Sequence, residues 1–149
     1  MTETPAKDVA DLLQPVLVDL LALSLNLKQA HWLLRGKTFT QVHLQLDDVI
    51  ADARDQADEV AERVVTLGGE VDGRPRTVAE STTLPVFTPG FVDVDAAIDG
   101  VIEQLDAAIA TARKTLDPLD AMDPVSQDVV IELLRKLDKH RWMFRAQHP

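Results

Sequence analysis

Five side chains in the first half of the chain have the types and spacing of metal ligands. His43 and Asp47 lie four residues apart, as do Asp58 and Glu62. On an α-helix that interval puts both members of a pair on one face, one turn apart. Imidazole and carboxylate placed so form half of a site for a divalent cation. His31 stands before a Gly-containing turn. A helical hairpin there would fold it over the start of the next helix, adding a second imidazole beside His43.

The halves cannot meet within one chain. Along a straight helix His43 and Glu62 are separated by about 28 Å, and Asp47 and Asp58 by about 16 Å. Metal–ligand bonds are only about 2 Å long. The two pairs nevertheless share one midpoint, between Asp52 and Ala53. An antiparallel copy of the same helix, related by a dyad at that point, brings His43 level with the copy's Glu62 and Asp47 level with its Asp58. Both halves are then completed at once, giving two identical sites per dimer. A His and carboxylate set without sulfur suits iron and also accepts Zn, Mn or Co. Carboxylates favour the ferric product, and an incomplete ligand set leaves room for an oxidant, which points to Fe(II) oxidation. The plainer alternatives are a helical salt-bridging pair and a solvated acidic face.

The elements that position these residues read as helices. Thr4-Pro5 has the form of an N-cap with proline at the first helical position. Leu12, Leu13, Val16, Leu17, Leu20, Leu21, Leu27 and Ala30 then recur at helical spacing to about Leu34, with Gly36 as a left-handed terminator. Pro15 either bends this first helix near Lys7 to Asp11 or delays its regular part. Thr38 and Gln41 have the spacing of a capping box that opens a second helix, running to Leu67 and stopping at Gly68-Gly69. Residues 68 to 92, with Pro75, Pro85 and Pro89, form a connection of unusual length. Thr77 to Ser81 could make one helical turn within it. Asp93 or Asp95 caps a third long helix that ends before Pro118, and Asp123-Pro124 opens a fourth that reaches about Arg145. Trp142 is expected in its core, and His140 and His148 find no partner at ligand spacing. No segment alternates as a strand. The fold expected is all-α: four helices with a long second connection acting as a crossover between the ends of a bundle, in a single domain over residues 1–149.

Composition agrees. A chain of 149 residues with 46% hydrophobic residues can bury one core. Absence of cysteine excludes thiolate sites and disulfides. No apolar run is long enough to span a membrane, and the acidic, polar N-terminus argues against a secretory leader; a cytoplasmic protein is expected, with association with the nucleoid as the alternative. The formal net charge is −10. Such a surface repels nucleic acid and attracts cations.

The run Lys28-Gln29-Ala30-His31-Trp32, His43 twelve residues on, Asp47 and Asp58-x-x-x-Glu62-Arg63 resemble the Dps family of mini-ferritins. The likeness extends to Lys136-Leu137-Asp138-Lys139-His140-x-Trp142-Met143. It implies a ferritin-like four-helix bundle with a short extra helix in the long connection, assembled as a hollow dodecamer built from dimers. It implies a ferroxidase centre shared across the dimer, with His31, His43 and Asp47 from one subunit and Asp58 and Glu62 from the other. Hydrogen peroxide, in preference to oxygen, would oxidise Fe(II), and the ferric product would be stored as mineral, protecting the cell and its DNA. Asp120, Asp123 and Asp128 resemble the acidic lining of the family's three-fold pores. Asp48, Asp52, Asp55 and Glu59 are candidates for binding iron at the inner surface, and Trp32 for capturing stray oxidising equivalents. Glu-x-x-His, the mark of a centre within one bundle, is missing. Two other classes compete: a DNA-compacting nucleoid protein, and a bundle that holds metal without turnover. Against the first, only Lys7 is basic among the first ten residues, and only Ala146-Gln147-His148-Pro149 follows Arg145. Strong direct DNA binding is therefore not expected.

Overall fold

The computed structural model describes residues 6–148; the proposed Thr4-Pro5 cap lies outside them. Four long helices form the bundle: α1 (Ala6–Leu33), α2 (Phe39–Thr66), α4 (Val94–Arg113) and α6 (Pro124–Arg145). Two short ones accompany them, α3 (Pro75–Ser81) and α5 (Leu116–Met122). β1 (Leu34–Arg35) and β2 (Val92–Asp93) make a parallel bridge, pairing Leu34 with Val92. This pair was not visible as alternation, because two residues are too few to show a period.

Side-chain links give the direction of each helix. The end of α2 returns to the start of α1: a Cβ at Gly69 would stand 2.9 Å from Val64 Cγ1 and 3.2 Å from Ala10 Cβ, so glycine is required there. Asn26 Nδ2 donates to Gln104 Oε1 at 2.8 Å, and with the Leu34–Val92 pairing this sets α1 antiparallel to α4. Arg113 with Asp138 and Arg141 with Asp106 set α4 antiparallel to α6. It follows that α2 and α4 run the same way, and the connection between them must climb the whole bundle.

That climb is pinned along α1. Gln14 exchanges hydrogen bonds with the backbone of Asp72. Higher up, the buried carboxylate of Asp19 accepts from Thr82 Oγ1, Thr83 N and Thr83 Oγ1 at 2.8, 2.8 and 2.6 Å. Gln104 Nε2 donates to the Pro85 carbonyl at 2.6 Å. The core runs between the helices through Leu13, Leu20, Leu27, Leu46, Leu105, Leu133, Leu137 and Phe144.

Three local expectations are corrected. Of the two readings of Pro15, the delayed start is corrected: α1 is a single 28-residue helix through it. Pro15 and Asp11 both lie on the exposed face, so the Asp11 carbonyl left without an N–H donor can be solvated. Thr38 forms no capping box; it takes the left-handed conformation at φ 63° and its hydroxyl turns to the Lys37 carbonyl. Trp142 is 64% exposed. It stands two residues from both His140 and Phe144, about 200° around the helix from either, so phase overrides hydrophobicity.

Candidate metal half-site and its relatives

The turn after α1, with Gly36 at φ 115°, folds the end of α1 onto the start of α2. His31 and His43 then meet. Their rings stack with centroids 3.5 Å apart and 16° between planes. Each backbone serves the other's ring: His31 Nδ1 lies 2.7 Å from the His43 carbonyl and His43 Nδ1 lies 2.8 Å from the His31 carbonyl. A carbonyl only accepts, so both Nδ1 atoms donate. In a neutral imidazole that leaves the lone pair on Nε2, the atom free to bind a metal. Phe39 also stacks on His43, with centroids 5.1 Å apart. His31 is 6% exposed.

Asp47 lies beside this pair. Its Oδ1 lies 3.5 Å from His31 Nδ1 and accepts from Lys28 Nζ at 2.7 Å. The Lys28 hydrogen bond holds the Asp47 carboxyl below the usual carboxylate range against a smaller opposing effect of burial, and the two imidazoles act in the same direction as Lys28. Trp32 is exposed beside the pair. Asp58 and Glu62 are exposed farther along the same uninterrupted α2. Among the described residues no three His, Asp or Glu side chains of one chain gather closely enough to hold a metal ion. The chain thus carries one organised imidazole–carboxylate half-site and a separate carboxylate pair. Beside Asp58 runs a groove of about 530 Å³ between α1, α2 and α3, lined by Leu17, Leu21, Leu25, Ala57, Ala61 and Val71.

The other acidic residues divide. Asp48, Asp55 and Glu59 are exposed on α2, and Asp120 and Asp128 are exposed near α5 and α6. Asp52 is engaged: His140 Nε2 lies 2.6 Å from its Oδ2, linking α2 to α6. This contact gives His140 the partner that spacing in sequence could not reveal, since the two are 88 positions apart. Asp123 is only 7% exposed. It accepts from Arg63 Nη2 at 2.7 Å and from the Ser126 hydroxyl. Burial acts to raise its carboxyl, but Arg63 and Ser126 outweigh it and hold the group below the usual range. Within the subunit its charge is therefore balanced by Arg63, unlike those of Asp120 and Asp128. The one polar side-chain atom buried without a hydrogen-bond partner, among the described residues, is Gln56 Oε1.

The ferritin-like domain family matches residues 10–148. The DNA protection during starvation protein of Mycolicibacterium smegmatis is 35% identical over 98% of this chain and 80% of its own length. The protein of that name from Agrobacterium fabrum is 34% identical over 93% of this chain and 86% of its own. The solved structure of Dps from Microbacterium arborescens in the high iron form superposes with a TM-score of 0.93 at 41% identity, covering 99% of this chain and 95% of that one.

Proposed function

The chain belongs to the ferritin-like domain family and, within it, to the Dps proteins, and from that premise we propose that it is a ferroxidase and iron store whose catalytic unit is a dimer. His31, His43 and Asp47 of one subunit face Asp58 and Glu62 of its partner across a dyad near Asp52 and Ala53. The observation that carries this reading is the crossed His31–His43 pair. Two imidazoles fixed by each other's carbonyls, with Asp47 beside them, are a prepared half-site that no further His, Asp or Glu of the same chain completes among the described residues. The missing carboxylates stand at the matching height on an antiparallel copy of α2. The apolar groove beside Asp58, with Leu25 exposed at 58%, gives the second copy a surface to cover.

Iron is the substrate, entering as Fe(II). Two Fe(II) ions each give one electron to a hydrogen peroxide molecule, whose O–O bond breaks with uptake of two protons to yield two waters. No hydroxyl radical is released when both electrons are delivered at one site. The ligating residues hold and orient the metal, and carboxylates stabilise the ferric product over Fe(II). Zn, Mn or Co would compete for the same donors. Six such dimers close a hollow dodecamer in this reading, with Asp120 and Asp128 offering charge at an entry path and Asp48, Asp55 and Glu59 offering exposed carboxylates for mineral growth. A subunit charge of −10 multiplies to about −120 for twelve copies. Protection of DNA is then chemical, by removal of Fe(II) and peroxide together, not by a polyanion bound to a shell of the same sign.

The test is peroxide-dependent Fe(II) oxidation, followed anaerobically by ferric absorbance. The variant Asp58→Ala with Glu62→Ala is expected to slow the initial rate by about a hundredfold or more while leaving the helix content and assembly size unchanged. An unchanged rate would remove these residues from the centre.

A further inference from the structure

Among the described residues, Lys28 is the one charged group in contact with the half-site that takes no part in holding metal. It lies one turn before His31 on α1 and reaches across to α2, where its Nζ sits 2.7 Å from Asp47 Oδ1. The side chain is only 28% exposed. A protonated ammonium has three donors and no lone pair, so it cannot ligate. It can only occupy the oxygen that a metal would use.

We propose that Lys28 is a resident cation that sets the affinity of this half-site for divalent metals. The proposal rests on the ferroxidase reading and adds a regulating residue to the same site. Among the described residues, Asp47 is the only carboxylate that the chain contributes beside its imidazole pair. A divalent ion arriving there must displace the ammonium from Oδ1 or share the carboxylate with it, and in either case meets a unit positive charge. When the oxidised metal leaves, the ammonium returns to Asp47. The half-site is therefore never left as a bare anion, and a tight, inert divalent ion is disfavoured over one that moves on. Lys28 acts through Asp47 and is a positioning residue, not a catalytic one.

Calorimetric titration of the intact assembly with Co²⁺ tests this, because Co²⁺ is not consumed by oxidation under anaerobic conditions. Lys28→Gln is expected to bind Co²⁺ about tenfold more tightly than wild type, allowing for partial solvent screening of the removed charge. Lys28→Met is the second neutral variant, should glutamine disturb assembly, and is expected to behave alike. Lys28→Arg keeps the charge and should stay near wild type, a rescue that loss of packing would not give. Equal or weaker binding in both neutral variants overturns the proposal, as does tighter binding in the arginine variant. Asp58→Asn with Glu62→Gln is measured alongside. Weakened binding there, with no change in the Lys28 variants, defeats the lysine proposal alone. Unweakened binding there defeats the shared centre and the lysine proposal with it.

Discussion

At the scale of single residues, the chemistry depends on partners that sequence spacing does not list. His31 and His43 could be singled out as ligands, yet their use of each other's carbonyls follows from the turn at Gly36. Asp123 could be read as a cap or a pore residue, but Arg63 arrives from 60 positions away to pair with it. That pair has a stability consequence of definite sign. Its folded-state carboxyl titrates below the unfolded value of about 3.9, so its contribution is fully present above about pH 4 and is lost as pH falls through the lower folded value. Arg63→Met leaves a buried carboxylate without its cation and is expected to cost about 3 kcal/mol at neutral pH. Denaturant unfolding at a series of pH values checks this. The gap between variant and wild type should narrow below about pH 4, and a gap independent of pH would show that lost packing of the arginine stem explains the effect.

At the scale of elements, periodicity located the long helices well and their ends less well. The apolar stripes of α1, α2, α4 and α6 are long enough to average out single exceptions; Gly36 has the positive φ its residue type suggests, but it sits in the turn beyond β1, and α1 itself ends at Leu33. A seven-residue helix offers no such average. α5 (Leu116–Met122) contains Pro118, which read as a breaker, and one buried side chain, Leu119, anchors it. Residue types suggest a single turn from Thr77, whereas α3 begins at Pro75, where proline's fixed φ suits a first turn. The capping box failed for a related reason: the left-handed Thr38 directs its hydroxyl away from the first turn of α2. Pro15 gives the testable case. It lies on the outer face of an unbroken α1, so the helix bears the lost hydrogen bond without relief from a break. Pro15→Ala restores an N–H donor to the Asp11 carbonyl. It should stabilise the subunit by about 1–2 kcal/mol, the gain in helix propensity being partly offset by greater freedom of the unfolded chain. A lower thermal midpoint in the alanine variant would show that proline's restriction of the unfolded chain outweighs the helix defect.

At the scale of the whole molecule, the proposed catalytic unit is a dimer, a reading that rests on the period of one helix converting sequence separation into distance. The shared midpoint of His43/Glu62 and Asp47/Asp58 requires only a continuous α2, and α2 runs unbroken from Phe39 to Thr66. The apolar groove beside Asp58 was not legible, since it is made by α1, α2 and α3 together. Sharing between subunits predicts complementation. One variant carries His31→Ala and His43→Ala, the other Asp58→Ala and Glu62→Ala, and each alone should oxidise Fe(II) at background rate. A mixed dimer has one site with both defects and one site with neither, because the intact imidazoles of the second variant meet the intact carboxylates of the first. Random reassociation of equal amounts makes half of the dimers mixed, so about one quarter of wild-type activity should return. Mixing without dissociation supplies the control and should restore nothing. If dissociated and reassociated mixtures also stay inactive while mass spectrometry shows mixed dimers, all ligands belong to one chain or the register of the dyad is different.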